Sequence, residues 1–593
     1  MYKKCFAQRI KGNEFLVHLW EDKGYSKVEW VNQAYIECDD SQSTHTGLNG
    51  ESLRKISNWK SDNPNLHFHD MTPYQKFLVE KYGTNDEPSK TQKELFFDIE
   101  TEMGDALTED YIKSAPKKVT SIAWYDKQAD EWAILILDPK AKMDRTKAKT
   151  KEIIPFKTEE ELLLNFLDKF REIDPDILVG WNSDYFDIPY LYYRMCNVLG
   201  DDEYGKPLAR HLSPIGYVRE TPWFKDQYIQ IAGVESLDYM RLHKKFSWAD
   251  EPSFKLDAIG EKYANIKKIE YEGNLDKLFE EDPLKFIQYN FRDVEILKKL
   301  DEKLEYLSLV KNLAHKGKHN YQEVYANTKT QDGAISAYLL GKKIIPPAKD
   351  RNPLSKKNYA GGYLFCPKAG IYNYVFDLDL TSLYPSIIMT VNIGKETMVG
   401  RIIDADDRNN RLGLNDLKSR DYAEELIVEN LKRKQTKVNV GRLIAMIEQN
   451  ELSISANGVM FATNRESVLS TILKKWFDER VKYKDSMKKA YKSGDKEKGA
   501  AFHMKQYTMK ILLNSLYGAT ALGSFRYGNV ILSEAITLSG QRIIQESALE
   551  ANRAMNKEIR GEVKIKETNK ENHVWGTNDP KIERNISPRP YGI

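Results

Sequence analysis

The chain is poor in cysteine. Its 593 residues hold four, Cys5, Cys38, Cys196 and Cys366, with no CxxC pair, which argues against a structural zinc site or a disulfide framework. A reducing, cytosolic setting is expected. No run approaches the ~20 apolar residues of a membrane span. Met1 to Trp20 mixes Lys, Arg and Glu with short apolar pieces and has no signal-peptide core. There is no internal repeat and no low-complexity tract. Excess charge of one sign is missing too: 90 basic side chains meet 88 acidic ones, for a net +2. That balance neither demands nor excludes nucleic acid, because acidic metal sites and basic grooves cancel in the sum. Hydrophobic residues at 41% and charged residues at 30% fit a globular protein of several domains.

What is present is a set of carboxylates inside apolar stretches. In Tyr374 to Leu380, strand period two puts Asp377 and Asp379 on one face, and a turn is expected at Tyr384-Pro385. In Leu95 to Thr101, Asp98 and Glu100 share a face in the same way. Burying paired carboxylates is costly unless a cation holds them. Alone, each pair reads as readily as an edge strand with a wet face.

In chain order, Phe15–Trp20 and Lys27–Val31 are strand candidates around Asp22-Lys23-Gly24. No chemistry is legible in residues 1–90, whose role is not readable from their sequence. Further strands are expected at 119–124 and 132–137. Thr158 and Glu161 form a capping box for an amphipathic helix. The strand Asp176–Gly180 leads into Trp181–Tyr190 and a helix, an α/β unit. Tyr289 and Asp293 lie one turn apart on one helix face. Hydrolysis of a phosphodiester by two divalent ions needs about four carboxylates. Asp98, Glu100, Asp187 and Asp293 supply four hard oxygen donors suited to Mg²⁺ or Mn²⁺, and the Tyr289 phenol could orient water.

The ordered set D-I-E in a strand, N-x-x-x-F-D after a strand and Y-x-x-x-D on a helix resembles the three exonuclease motifs of family B DNA polymerases. The resemblance implies an RNase-H-like exonuclease domain with metal ligation by Asp98, Glu100, Asp187 and Asp293. Asp184 is off the family's position and is assigned no metal role. Ser236–Phe246 also resembles the matching part of the family. Residues 309–358 are expected to form a linker, helical over Asp332–Lys342 and broken at Pro346-Pro347.

Tyr359, Gly361 and Gly362 match the family's Y-x-G-G element, which implies template contact. D-L-T-S-L-Y-P-S-I-I from Asp379 resembles motif A. It implies a metal-ligating Asp379, triphosphate-cradling amides at Ser382 and Leu383, and Tyr384 beneath the deoxyribose. Asp377 has no assignable family role. Thr390-Val391-Asn392-Ile393 is similar to T-even-type phage polymerases in particular. Helices are expected at 421–434 and 438–449, and Asn457-Gly458 signals a hairpin. Arg480 and Lys484 share one helix face, and Lys510, Asn514 and Tyr517 share another. K-x-x-x-N-S-x-Y-G, ending at Gly518, resembles motif B. It implies that Arg480, Lys484 and Lys510 grip the triphosphate while Asn514 and Tyr517 line the nascent base pair. The match continues through Glu534–Gln541 into a long helix ending near Lys557.

The family's D-T-D hairpin does not follow. From Ala519 to Ile593 the one aspartate is Asp579, before Pro580 and outside any apolar strand. The resemblance therefore leads to one expectation: the N-terminal portion of a split, phage-encoded replicative polymerase with a complete 3′→5′ exonuclease site. A second polypeptide would bring motif C and the thumb. The fold is expected to be multidomain α/β and α+β, an RNase-H-like exonuclease domain plus a partial right-hand palm and fingers. The expected domains are 1–90 (with 309–351 returning to it), 91–308 exonuclease, 352–465 palm, 466–522 fingers, 523–560 second palm segment and 561–593 tail. Implied partners are two Mg²⁺ or Mn²⁺ per active site, DNA primer-template, dNTPs, a sliding clamp and replisome, without membrane, in the host cytoplasm. The alternatives are an interrupted reading frame, a free-standing exonuclease, or a non-catalytic nucleic-acid-binding subunit.

Overall fold

A computed structural model describes the chain except for residues 105–107, 222–228, 248, 351–360, 365–369, 372–377, 381, 404–411 and 563–593. It divides into two compact units. One comprises residues 1–34, 56–63 and 71–337; the other comprises 35–55, 64–70 and 338–593.

The first unit is built on a mixed seven-stranded sheet. Its spatial order is Thr146–Ala148, Lys151–Phe156, Glu131–Leu137, Val119–Asp126, Glu94–Thr101, Ile177–Gly180 and Glu235–Asp238. The interior strand Glu94–Thr101 runs antiparallel to Val119–Asp126 and parallel to Ile177–Gly180. A buried cluster that includes Leu95, Phe97 and Ile99 from this strand, with Ile122, Leu135 and Phe166, forms the core. Helix Glu159–Ile173 covers part of that core, and its capping box forms as the sequence predicts. Burying side chains of this size contributes ~1.5–3 kcal/mol each. That is what obliges Asp98 and Glu100 to point to the sheet's other surface.

Strands Tyr2–Lys11, Glu14–Glu21 and Gly24–Val31 form a separate antiparallel sheet, with the expected turn between the last two. Residues from the 313–321 stretch reach this sheet. The Tyr2 hydroxyl donates to the carbonyls of Ala314 and His319, and the Asn320 side chain pairs with both backbone groups of Cys5.

In the second unit, a five-stranded antiparallel sheet runs in the order Gln435–Asn439, Glu425–Asn430, Met398–Ile403, Val459–Ala462, Leu452–Ile454. Here the sequence reading of a helix over 421–434 fails. Leu426 and Val428 alternate toward the sheet's core, and Asn430 turns the chain by accepting from the amides of Lys432 and Lys434, each 3.0 Å away. The charged residues between the apolar ones hid a period of two. The helix expected at 438–449 forms as Val440–Gln449, and the Asn457-Gly458 turn joins two strands as expected, with Gly458 at φ +78°.

Two long helices, Val468–Lys492 and Lys496–Thr520, pack as an antiparallel pair. The Tyr483 ring stacks on Phe502, and Tyr491 lies against Gly499. Helix Val530–Glu562 follows. No helix is long and apolar enough to cross a membrane among the described residues.

Candidate active sites

Asp98 and Glu100 emerge two residues apart on one strand, as their spacing requires. Helix Pro283–Leu304 brings Asp293 to them, and carboxylate oxygens of the three lie within 4.8 Å of one another. Asp187 begins helix Asp187–Leu199 and is buried beside this group. Its Oδ1 accepts from the Ile99 amide at 3.3 Å, but it is not among the three closest acids.

Crowding and enclosure act together on these acids. Burial and then the charges of Asp293, Glu100 and Asp187 push the Asp98 carboxyl well above the usual range. Burial and Asp293 raise Glu100 to about 8. Asp187 rises to about 7 through burial, which outweighs its backbone hydrogen bonds. Asp293 is raised by burial, opposed by Lys268. Such a set favours protons or cations over bare charge.

The Lys268 ammonium supplies one positive charge. It pairs with Asp293 and donates to the Tyr289 hydroxyl at 3.1 Å. Burial opposes its charge, but Asp293 and Asp98 hold its pKa above the ordinary value. Even so, Asp293 Oδ1 is buried without a hydrogen-bond partner. Four carboxylates, one with an orphaned oxygen, fit hard divalent cations such as Mg²⁺ or Mn²⁺.

The sequence reading missed Lys268, Asn290 and Ser121. Asn290 donates to Asp98 Oδ2 at 2.7 Å and accepts from Ser121 Oγ at 2.8 Å. Asn290 was traceable as a polar residue three before Asp293 on one helix face. Lys268 gave no signal, since it comes from a connecting segment. Asp184 lies buried against Ser236 and Arg241 at 2.6 Å each.

In the second unit the structure gathers some of the expected residues. The Tyr384 and Tyr517 rings stack with centroids 4.4 Å apart. A Cβ on Gly362 would meet the Tyr384 hydroxyl at 3.2 Å, and one on Gly540 would meet its ring at 3.0 Å. Gln541 donates to the Gly361 carbonyl at 2.6 Å. These contacts place Gly361, Gly362, Tyr384 and Tyr517 together. Tyr359 and Asp377 lie outside the described residues.

Two expectations here need correction. Residues 378–380 form no strand: Leu378 is 73% exposed and Leu380 42% exposed, and Asp379 is exposed with them. No described strand pairs with this segment, so its backbone finds no ladder. The expected turn at Tyr384-Pro385 is the start of helix Leu383–Val391, where Pro385 fits because first-turn amides need no intrahelical acceptor. Ser382 caps this helix in a left-handed conformation (φ +54°), and Leu383 is its first residue. The unspent amides of that first turn suit an anion.

Arg480 and Lys484 stand on one helix of the antiparallel pair, and Lys510, Asn514 and Gly518 on the other. Arg480 Nε is buried with no hydrogen-bond partner, while Lys484, Asn514 and Gly518 are exposed. The Tyr483–Phe502 contact sets the register, bringing Arg480 within about a turn of the level of Lys510. Among the described residues Asp379 belongs to no cluster of three possible metal ligands; the one such cluster is that of Asp98, Glu100 and Asp293.

Two family models match the chain, one in each unit for most of its length. The family model "DNA polymerase family B, exonuclease domain" matches residues 64–259, and "DNA polymerase family B" matches 326–580. The first match holds Asp98, Glu100 and Asp187, the second Asp379 and the paired helices, and Tyr289 and Asp293 fall between them. The chain is 27% identical to a DNA-directed DNA polymerase of Escherichia phage RB69, over 89% of this chain and 64% of the relative. It is 29% identical to that of Enterobacteria phage T4, over 68% of this chain and 47% of the relative. A DNA polymerase of Thermococcus sp. is 24% identical over 65% and 44%. The chain thus spans less than two thirds of the length of these relatives.

Proposed function

The chain belongs to DNA polymerase family B, and on that premise we propose that its first unit removes nucleotides from the 3′ end of DNA. The observation that carries this reading is the convergence of Asp98, Glu100 and Asp293 within 4.8 Å, with Asp187 beside them. These four acids would hold two Mg²⁺ or Mn²⁺ ions, which when bound supply Lewis acidity toward water and the scissile phosphate. Asn290 fixes the Asp98 carboxylate. The Tyr289 hydroxyl, oriented by Lys268, is placed to hold the attacking water. Lys268 keeps one positive charge in the site, where the departing 3′-oxygen and the phosphate gather negative charge.

The second unit is proposed as part of a DNA-directed DNA polymerase centre. In this reading Asp379 ligates metal. Ser382 and Leu383 present amides to the triphosphate of a dNTP, and Arg480, Lys484 and Lys510 bind its phosphates. Tyr384 blocks a 2′-hydroxyl. Asn514, Tyr517 and Gly518 border the nascent pair, and Tyr359, Gly361 and Gly362 meet the template. The proposed domains keep the sequence boundaries: 91–308 exonuclease, 352–465 and 523–560 palm, 466–522 fingers, 561–593 tail, with 1–90 and 309–351 as one further domain. One acid cannot hold two Mg²⁺ for nucleotidyl transfer. The remaining acids are proposed to come from a second polypeptide carrying D-T-D and the thumb. Such an assembly would work with a sliding clamp and replisome in the cytoplasm of a phage-infected cell.

The test is release of deoxynucleoside monophosphates from 3′-labelled single-stranded DNA. Hydrolysis should require Mg²⁺ or Mn²⁺. Asp98→Ala with Glu100→Ala should reduce it by roughly 10³-fold or more, the rate equivalent of several kcal/mol of metal stabilisation. Undiminished hydrolysis by that variant refutes the assignment, and salt-sensitive binding without any cleavage by the parent favours a non-catalytic role.

A further inference from the structure

The first unit also holds a cleft of about 960 Å³, lined in part by strands Glu14–Glu21 and Gly24–Val31, the end of helix Glu159–Ile173 and residues 206–217. None of the exonuclease acids lines it. One wall is aromatic. Trp20 and Tyr25 lie 4.9 Å apart, and His18 stacks beside both, with centroids 6.2 and 6.0 Å away. Tyr25 (45% exposed) and Tyr217 (42% exposed) present their rings to solvent.

His18 itself is 4% exposed. Its Nδ1 shares a 2.6 Å hydrogen bond with the Tyr25 hydroxyl, and its buried Nε2 has no partner. Burial and then Lys27 lower its pKa, so the ring is neutral and Nε2 either donates or accepts according to the tautomer. An unpartnered buried polar atom is costly, and a ligand that pairs with it would recover that cost.

The lining is also cationic, with Arg171, Lys206 and Arg210. Arg171 and Lys206 have no carboxylate partner among the described residues. Arg210 pairs with Asp202 at 2.6 Å through one nitrogen, but its Nε is buried and unpartnered. The cleft's own acids are mostly occupied. Asp176 is held by Lys3 and Lys4 at 3.1 and 3.2 Å, and Glu21 by Tyr82 and Lys81. Asp174 also lines the cleft, beside Arg171 and Lys206 in the same lining.

Flat aromatic surfaces, an unsatisfied buried imidazole and spare guanidinium and ammonium charge describe a ligand with a planar heterocycle and a phosphate. The volume is at the upper end of the ~300–1,000 Å³ common for small-molecule sites. We propose that this cleft is a second nucleotide-binding site, which takes a nucleoside phosphate with its base on the Trp20–Tyr25–Tyr217 wall and its phosphate on Arg210 and Lys206. The nucleotide is either free or one unit of a single strand. The two sources share this chemistry.

The test uses the full chain carrying Asp98→Ala and Glu100→Ala, in EDTA, so that the exonuclease acids neither cleave nor bind through metal. Probes are 8-azido-AMP for photo-cross-linking, and labelled AMP, a dT₈ oligonucleotide and inorganic phosphate for equilibrium dialysis. Cross-links should map to residues 18–25 or 206–217. Lys206→Ala with Arg210→Ala, and separately Tyr25→Ala with Tyr217→Ala, should each weaken nucleotide binding by about tenfold or more. All four are surface or half-exposed positions, so folding can be checked by unchanged Tm. Binding of AMP identifies a free nucleotide, and binding of dT₈ alone identifies a strand. Cross-links confined elsewhere, affinity unchanged in both double variants, or phosphate bound as tightly as AMP overturns the proposal. Because metal is absent throughout, the result does not depend on exonuclease activity.

Discussion

Asp293 carries one oxygen paired with Lys268 and one buried without a partner, and that asymmetry exposes how the acids behave without metal. Glu100 near 8 and Asp187 near 7 sit far above ordinary carboxylates. A carboxyl whose pKa is higher folded than unfolded stabilises the fold below its unfolded pKa, and that stability is lost as pH rises through the folded value. The metal-free chain should therefore lose Tm between pH 6 and about 8.5. Added Mg²⁺ should restore more Tm at pH 8.5 than at pH 6, since it binds the ionised set. Differential scanning calorimetry at several pH values reads this directly, and an equal Mg²⁺ effect at both ends contradicts it. Asn290→Ala removes the amide that orients Asp98. By analogy with other partners of metal ligands, it should cost about 10–100-fold in metal affinity or hydrolysis rate, read by Mg²⁺ titration of exonuclease activity. The Asp98–Glu100 alternation was legible because strand period alone puts two acids on one face. Lys268 was not, because a lysine in a connecting segment has no periodicity to mark it.

Among the elements, the strands and helices with clear period and cap chemistry formed where the sequence placed them. The Thr158–Glu161 box and the Asn457-Gly458 turn are examples, each using local hydrogen bonds that neighbours do not alter. The hairpin Glu425–Asn439 was misread because its apolar residues are few and its order comes from pairing with Met398–Ile403. Gly458 offers a test at this scale. Its φ of +78° disfavours any side chain, and a Cβ there would lie 2.5 Å from the Ile402 carbonyl oxygen. Gly458→Val should destabilise the second unit by about 2–4 kcal/mol, the combined cost of backbone strain and overpacking. A lower calorimetric Tm with exonuclease activity retained at low temperature is the expected outcome.

At the scale of the whole molecule, the two units differ in how their described acids are gathered. Asp98, Glu100 and Asp293 converge within the first unit, whereas Asp379 is exposed and belongs to no such cluster of three among the described residues. Primer extension by the 593-residue chain should be undetectable, and should appear when a polypeptide carrying D-T-D and the thumb is added. Extension that then depends on Asp379 (lost in Asp379→Ala) ties the activity to this chain. Extension by the chain alone contradicts the split arrangement.

Sequence by itself determined the identity of the chemistry. Carboxylates in ordered motifs, with Tyr289 one turn from Asp293, pointed to metal-dependent phosphodiester chemistry, because side-chain type and short-range spacing are local properties. Tertiary structure decided what those residues face. It brought Lys268 and Asn290 to the acids, stacked Tyr384 on Tyr517, and left Asp379 in the open. It also closed a cleft around His18 from segments as distant in sequence as Lys3 and Val234. Contacts between distant segments follow from which apolar faces bury one another, and no local pattern encodes that choice.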